Sequence, residues 1–269
     1  TQQASAPSAD GRSKAVQTFT ADSLVDSETD FLGITTLFSW DTTRRLKTAV
    51  TRAASRPEAQ TVQTQWHPSL RLPVLVTEPG RSTAYAYDAN GNTLRETTTD
   101  TASGEARTWA WTYNPQGLPA TQTDPLGGVW NYSYDAGGNR TLQRNPLGHE
   151  TRWAYDGAGR VTRQTDPNGL VTQYQYDLRG RLTQVNRNGE ISTYAWTPSG
   201  QLASATQPNG HSVNYSYDAA QRLIGASDNR GNNVAYTLDG LGNRTREEVR
   251  DATGAIAQVT SRTINSLNK

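Results

Sequence analysis

The segment Thr172-Gln173-Tyr174-Gln175-Tyr176-Asp177-Leu178-Arg179-Gly180-Arg181-Leu182 decides how the whole chain is read. Tyr174 and Tyr176 alternate with glutamine, which is the period of a half-buried β-strand. Asp177 ends the run, and Gly180, four residues after Tyr176, is the residue type suited to positive φ in a tight turn. Arg181-Leu182 then opens a second short run, so the segment predicts two strands joined by a turn.

Working outward, the Tyr-Asp pair recurs at Tyr87-Asp88, Tyr134-Asp135, Tyr155-Asp156 and Tyr217-Asp218. Degenerate copies stand at Phe19-Thr20, Trp40-Asp41, Trp66-His67, Tyr113-Asn114, Trp196-Thr197, Leu238-Asp239 and Ile264-Asn265. Successive first residues are separated by 21, 26, 21, 26, 21, 21, 21, 20, 21, 21 and 26 residues, a ladder that identifies an internal repeat. The slot four residues after each aromatic holds Gly91, Gly117, Gly138, Gly159, Gly180, Gly200 and Gly242, with Ser23, Arg44, Leu70 and Gln221 as exceptions. About ten residues after each Tyr-Asp pair comes a second turn, as in Asp124-Pro125-Leu126-Gly127, Asn145-Pro146-Leu147-Gly148 and Asp166-Pro167-Asn168-Gly169. Asp or Asn first, Pro second and Gly fourth are the preferences of a type I turn.

The first strand of each unit places aromatic or aliphatic residues on one face: Trp109, Trp111 and Tyr113; Trp130, Tyr132 and Tyr134; Val213, Tyr215 and Tyr217. The Tyr-Asp slot and the slot two before it hold 19 of the 22 aromatics, leaving Phe31, Trp109 and Trp130, so an aromatic ladder is expected along one face. The second strand is weakly apolar and expected to be half-solvated. One hairpin is marginal in water, so neighbours must stack to bury the aromatic face. The expected fold is all-β, a coiling antiparallel sheet of stacked hairpins, with residues 1–14 an unpaired polar lead-in. Residues 15–269 form about 12 units of 20–26 residues, the last one truncated. Extra residues around Pro57 and Gly104 are expected to form longer loops or bulges where the sheet bends.

Composition bounds the function. Mean hydropathy is -0.76, yet 26 basic and 25 acidic residues leave a net charge of +1, so self-repulsion does not hold the chain open. That balance gives no field for nucleic acid, and no apolar run is long enough to span a bilayer. Cysteine is absent, which removes disulfides and thiol chemistry. Methionine is also absent, including at position 1, so the chain is expected to be cut from something longer. His67, His149 and His211 fall in separate repeats without a second ligand at metal spacing, and no nucleophile with a base can be assembled. No catalytic, cofactor or metal residues are therefore assigned. The residues expected to carry the structure are Tyr87, Tyr113, Tyr134, Tyr155, Tyr176, Trp196 and Tyr217, with Gly91, Gly117, Gly138, Gly159, Gly180 and Gly200.

Thr172 to Leu182, with the recurring Asp-Pro-x-Gly, resembles the YD repeat of bacterial Rhs proteins, toxin-complex C proteins and animal teneurins. Trp66-His67-Pro68-Ser69-Leu70-Arg71-Leu72-Pro73 through Tyr87-Asp88 is similar to Rhs proteins in particular. The resemblance runs from about Ala15 to the last residue. It implies part of a hollow β-cocoon that encloses a C-terminal polymorphic toxin and takes no part in catalysis. The implied partners are the rest of the shell and its toxin cargo, and the implied setting is secretion or cell-surface display by a bacterium, with type VI secretion as a route. The sequence carries no delivery domain, core segment or toxin, and it stops at Asn268-Lys269 inside a repeat.

Other readings stay open beside this one. Asp-Pro-x-Gly invites comparison with the self-cleavage motif of Rhs core segments, but recurrence at the repeat period is what a turn produces. Asp135, Asp156 and Asp177 could bind calcium, although an Asp after a strand more simply bonds its own turn backbone. The aromatic ladder could stack sugar rings in an extracellular adhesion or carbohydrate-binding array, or could pack between hairpins as core. Free strand edges are expected to recruit a second copy.

Overall fold

The computed structural model describes residues 3–4 and 16–263, all of it strand, turn or loop, with no helix among them. The degenerate copy at Ile264-Asn265 lies outside the described residues. The chain divides into two compact units, residues 1–133 with 144–148, and residues 134–143 with 149–269.

In the first unit, strands from Val16–Phe19 to Pro119–Thr123 pair antiparallel in chain order, each with the strand before and after it. In the second, the same meander runs from Glu150–Tyr155 to Ile256–Ser261. Strands that carry the repeat aromatic end on it, as in Arg81–Tyr87, Val171–Tyr176, Glu190–Trp196 and Ser212–Tyr217. Their burial alternates as the sequence pattern requires: in Val129–Tyr134, Trp130, Tyr132 and Tyr134 are half-buried while Asn131 and Ser133 are exposed. Of the second strands, Pro73–Glu78, Pro119–Thr123 and Leu202–Thr206 are half-buried throughout, while others such as Arg140–Arg144 carry exposed residues at their ends.

Among the described residues only Leu24 and Leu46 are buried apolar side chains, at 6% and 5% exposure. Cohesion therefore comes from strand pairing and from contacts between neighbouring hairpins, as in other repeat architectures.

The lead-in and the residues near Gly104 differ from expectation, and bulges are more widespread than the long units alone suggested. Gln3–Ala4, within the polar lead-in, pairs antiparallel with Gln17 and Val16. An edge strand offers unpaired backbone N–H and C=O groups that accept a partner whatever its side chains. Bulges are not confined to the long units. The register shifts at nearly every repeat aromatic, among them Ala86/Tyr87, Ala154/Tyr155, Gln175/Tyr176, Ala195/Trp196 and Ser216/Tyr217. The extra residues near Gly104 lengthen the flanking strands, Thr93–Asp100 and Ala106–Tyr113, to eight residues each, whereas those near Pro57 lie in the loop between Leu46–Arg52 and Gln60–Trp66.

Candidate functional surface

Most repeat turns are built around an aspartate. Asp177 N–H donates to Arg181 O at 2.9 Å, Gly180 N–H donates to Asp177 O at 2.9 Å, and the carboxylate Oδ1 accepts from the N–H groups of Arg179 and Arg181. The same arrangement surrounds Asp88, Asp156, Asp218 and Asp239. An Asx side chain that satisfies the donors of its own turn is the reason Asp follows the strand. The Asp-Pro-x-Gly turns close alike: Leu126 and Gly128 donate to Asp124 Oδ1 at 2.9 and 2.8 Å. Where His67 takes the Asp slot, its Nδ1 accepts from Leu70 N–H at 3.1 Å.

The second carboxylate oxygen takes the side chain five residues after the aromatic. Arg160, Arg181 and Arg222 each donate Nε to Oδ2 of Asp156, Asp177 and Asp218 at 2.7 Å, while Asn92 and Asn243 serve Asp88 and Asp239. Asp156 is held below the usual carboxylate range chiefly by the Arg160 side chain, and Asp177 and Asp218 chiefly by the backbone N–H of Arg181 and Arg222.

The repeat glycines all lie at positive φ, from 77° at Gly117 and Gly159 to 103° at Gly200. Two of the exceptions follow suit: Ser23 and Gln221 take φ of 59° and 65°. In the turn after Trp40, where Asp41 pairs with Leu46, the left-handed residue is Arg45 rather than Arg44. At Gly180 a second requirement appears, since an added Cβ would lie 3.2 Å from Arg160 Nη1 of the preceding repeat.

Eight of the repeat aromatics reach back to the hairpin before them. Tyr176 OH donates to Val161 O at 2.8 Å, Tyr217 OH to Leu202 O at 2.9 Å, and Trp196 Nε1 to Leu182 O at 2.8 Å. Tyr87, Tyr113 and Tyr155 donate to Pro73, Thr93 and Arg140 carbonyls in the same way, and Trp40 and Trp66 to Val25 and Lys47. The cause lies in the strand ladder. Pairing of Val161–Thr165 with Val171–Tyr176 stops at Arg163 opposite Gln173, so Val161 O is left for a side chain to satisfy. Tyr134 is half-buried at the end of Val129–Tyr134.

Guanidinium groups cover several ring faces: Arg140 lies over Trp153, Arg160 over Tyr176, Arg181 over Trp196 and Arg244 over Tyr236, at 5.0, 4.9, 5.5 and 3.6 Å from the centroids. Sequence reading placed the aromatics and glycines on these turns but missed what Arg160, Arg181 and Arg222 do. The signal available was the i to i+4 spacing of Asp156–Arg160, Asp177–Arg181 and Asp218–Arg222.

Comparison with known proteins agrees with this repeat. The family description Teneurin YD-shell matches residues 87–244, more than half of the chain. The chain belongs to the YD-shell family. Among solved structures, this YD-shell chain is similar to the crystal structure of TcdB2-TccC3-Cdc42, with a TM-score of 0.66 at 15% identity over 95% of its length. TcdB2-TccC3 gives 0.65 at 16% over 93%, and the Tc holotoxin pore of Photorhabdus luminescens 0.64 at 15% over 93%. At such identities the likeness is one of fold. The chain spans 16%, 16% and 15% of those three structures' chains. No curated protein matches it.

Proposed function

We propose that this YD-shell segment is a stretch of wall in a larger shell that encloses a toxin domain of the same polypeptide, protects it and helps deliver it, without chemistry of its own. The observation that carries the reading is the recurring bond from a repeat aromatic to a carbonyl of the preceding hairpin, made by Trp40, Trp66, Tyr87, Tyr113, Tyr155, Tyr176, Trp196 and Tyr217. A surface in which most hairpins fasten their neighbour suits containment. A secreted or cell-surface setting in a bacterium, reached by type VI secretion or another export route, goes with this role. No helix among the described residues is long and apolar enough to cross a membrane.

The carbohydrate-binding alternative draws less support, because guanidinium groups already occupy faces of Trp153, Tyr176, Trp196 and Tyr236 that a sugar ring would need.

Limited proteolysis of the full natural polypeptide, before and after mild chaotrope, tests enclosure. The expected result is a cargo domain that resists protease until the wall is loosened. Cleavage at the same rate in both states, or a polypeptide with no further domain to enclose, overturns the proposal.

A further inference from the structure

Four consecutive turns of the second unit are tied not only within themselves but each to the next. Arg160, besides holding Asp156, donates Nη1 to Asp177 O at 3.4 Å. Arg181, besides holding Asp177, donates Nη1 to Thr197 O at 3.0 Å. Gln201 accepts from Thr197 Oγ1 at 2.6 Å and donates Nε2 to Gln221 Oε1 at 2.7 Å. Arg222, besides holding Asp218, donates Nη1 to Asp239 O at 3.2 Å. The turns at 156, 177, 197, 218 and 239 are therefore linked in series by side chains that each grip two turns.

The link survives where its residue types change together. At Gln221 the usual glycine is replaced, and the residue that reaches it from the previous repeat is Gln201 rather than arginine, so an amide–amide bond stands in for guanidinium-to-carbonyl. At Gly180 glycine leaves room for the guanidinium, since a Cβ would lie 3.2 Å from Arg160 Nη1; at Gly242 a Cβ would make ordinary contact with Arg222 at 3.5 Å, and at Gly200 it would meet nothing within 4 Å. In the first unit the same slot holds Leu24, Arg45, Arg71, Asn92 and Leu118; there Arg45 Nη1 reaches Asp22 O at 3.4 Å, Arg71 Nη1 reaches Arg44 O at 2.9 Å and Arg44 Nη2 reaches Leu70 O at 2.6 Å, so its first three turns are joined too, whereas Asn92 and Leu118 are too short or apolar to bridge.

We propose that this series of two-turn grips is a mechanical relay that makes residues 156–243 open as one block, whereas the hairpins around Asp88 and Asn114 open one by one. A guanidinium presents several donors in a fixed fork and can serve a carboxylate and a carbonyl at once, which a single ammonium on a flexible stem does less well.

Hydrogen exchange on the full chain tests it. Arg179 Nη1 also reaches Pro198 O at 2.6 Å, so the comparison is made in an R179A background, with and without R181A. The relay predicts that R181A speeds exchange of Gly200 and Gln201 N–H on the order of tenfold, with faster exchange also at Arg222 N–H in the turn beyond. R181K, which retains charge but not the fork, is expected to behave like R181A, and it serves as the readout if R181A does not fold. N92A is expected to leave Gly117 and Leu118 N–H unchanged. Faster exchange confined to residues 177–181, or full protection with R181K, overturns the relay.

Discussion

At the scale of single residues, Tyr176 separates two contributions that its ring makes together. The hydroxyl satisfies Val161 O, and the ring lies between hairpins with Arg160 on its face. Tyr176→Phe removes only the first and is expected to cost about 1 kcal/mol, the usual net worth of one hydrogen bond. Tyr176→Ala removes both and is expected to cost about 3 kcal/mol. Urea unfolding of the two variants checks the order, and equal midpoints for wild type and Tyr176→Ala would remove the ring from the account of stability. Gly169 and Gly180 give a second contrast, because both have φ near the same value, 82° and 81°, but differ in surroundings. Alanine at Gly169 meets nothing within 4 Å and is expected to cost only the left-handed backbone penalty, about 1–2 kcal/mol. Alanine at Gly180 must also displace Arg160 and is expected to cost more, read as a lower urea midpoint than that of Gly169→Ala.

At the scale of the hairpin, acid titration reports on the turns. Asp156, Asp177 and Asp218 have folded-state values below those of an unfolded aspartate, so their contribution is fully present above the unfolded value, about 3.9, and is lost as pH falls through the folded one. The expected profile of stability is flat from neutrality to about pH 5 and falls in stronger acid. A variant with all three changed to asparagine is expected to be less stable at pH 7 and to show a shallower acid limb in urea midpoints. This element was the part most legible in the sequence. Strand ends, turns and the aromatic face follow from alternation, Asp and Gly, all of which act locally. The bulge at Gln175/Tyr176 and the bond from Tyr176 to Val161 were not legible, because alternation fixes which face a side chain takes but not which partner residue it meets. Arg181 was visible as a strand opener, but its reach to Thr197 depends on the stacking distance between hairpins, which no local pattern encodes.

For the whole molecule, both units show the same repeat chemistry with few buried side chains, so stability should scale with the number of hairpins joined. The strand Ile256–Ser261 pairs with Arg244–Arg250 on one side and has no further strand beside it among the described residues, with Ile256 and Val259 exposed at 52% and 44%. Self-association of this chain through that edge is our proposal, and sedimentation at rising concentration checks it. Larger species are expected for the parent and fewer for a variant carrying Ile256→Lys and Val259→Lys, since lysine on an exposed edge opposes further pairing.

The bond from Tyr176 to Val161 spans 15 residues, and Tyr217 repeats that interval to Leu202. A copy with tyrosine or tryptophan in this slot thus brings a donor for the copy before it and an acceptor for the copy after it. A tandem duplication of 63 nucleotides, coding for the commonest 21-residue step, inserts a piece that already fits both neighbours. Gain or loss of a whole copy is therefore expected to disturb such an array less than gain or loss of part of one.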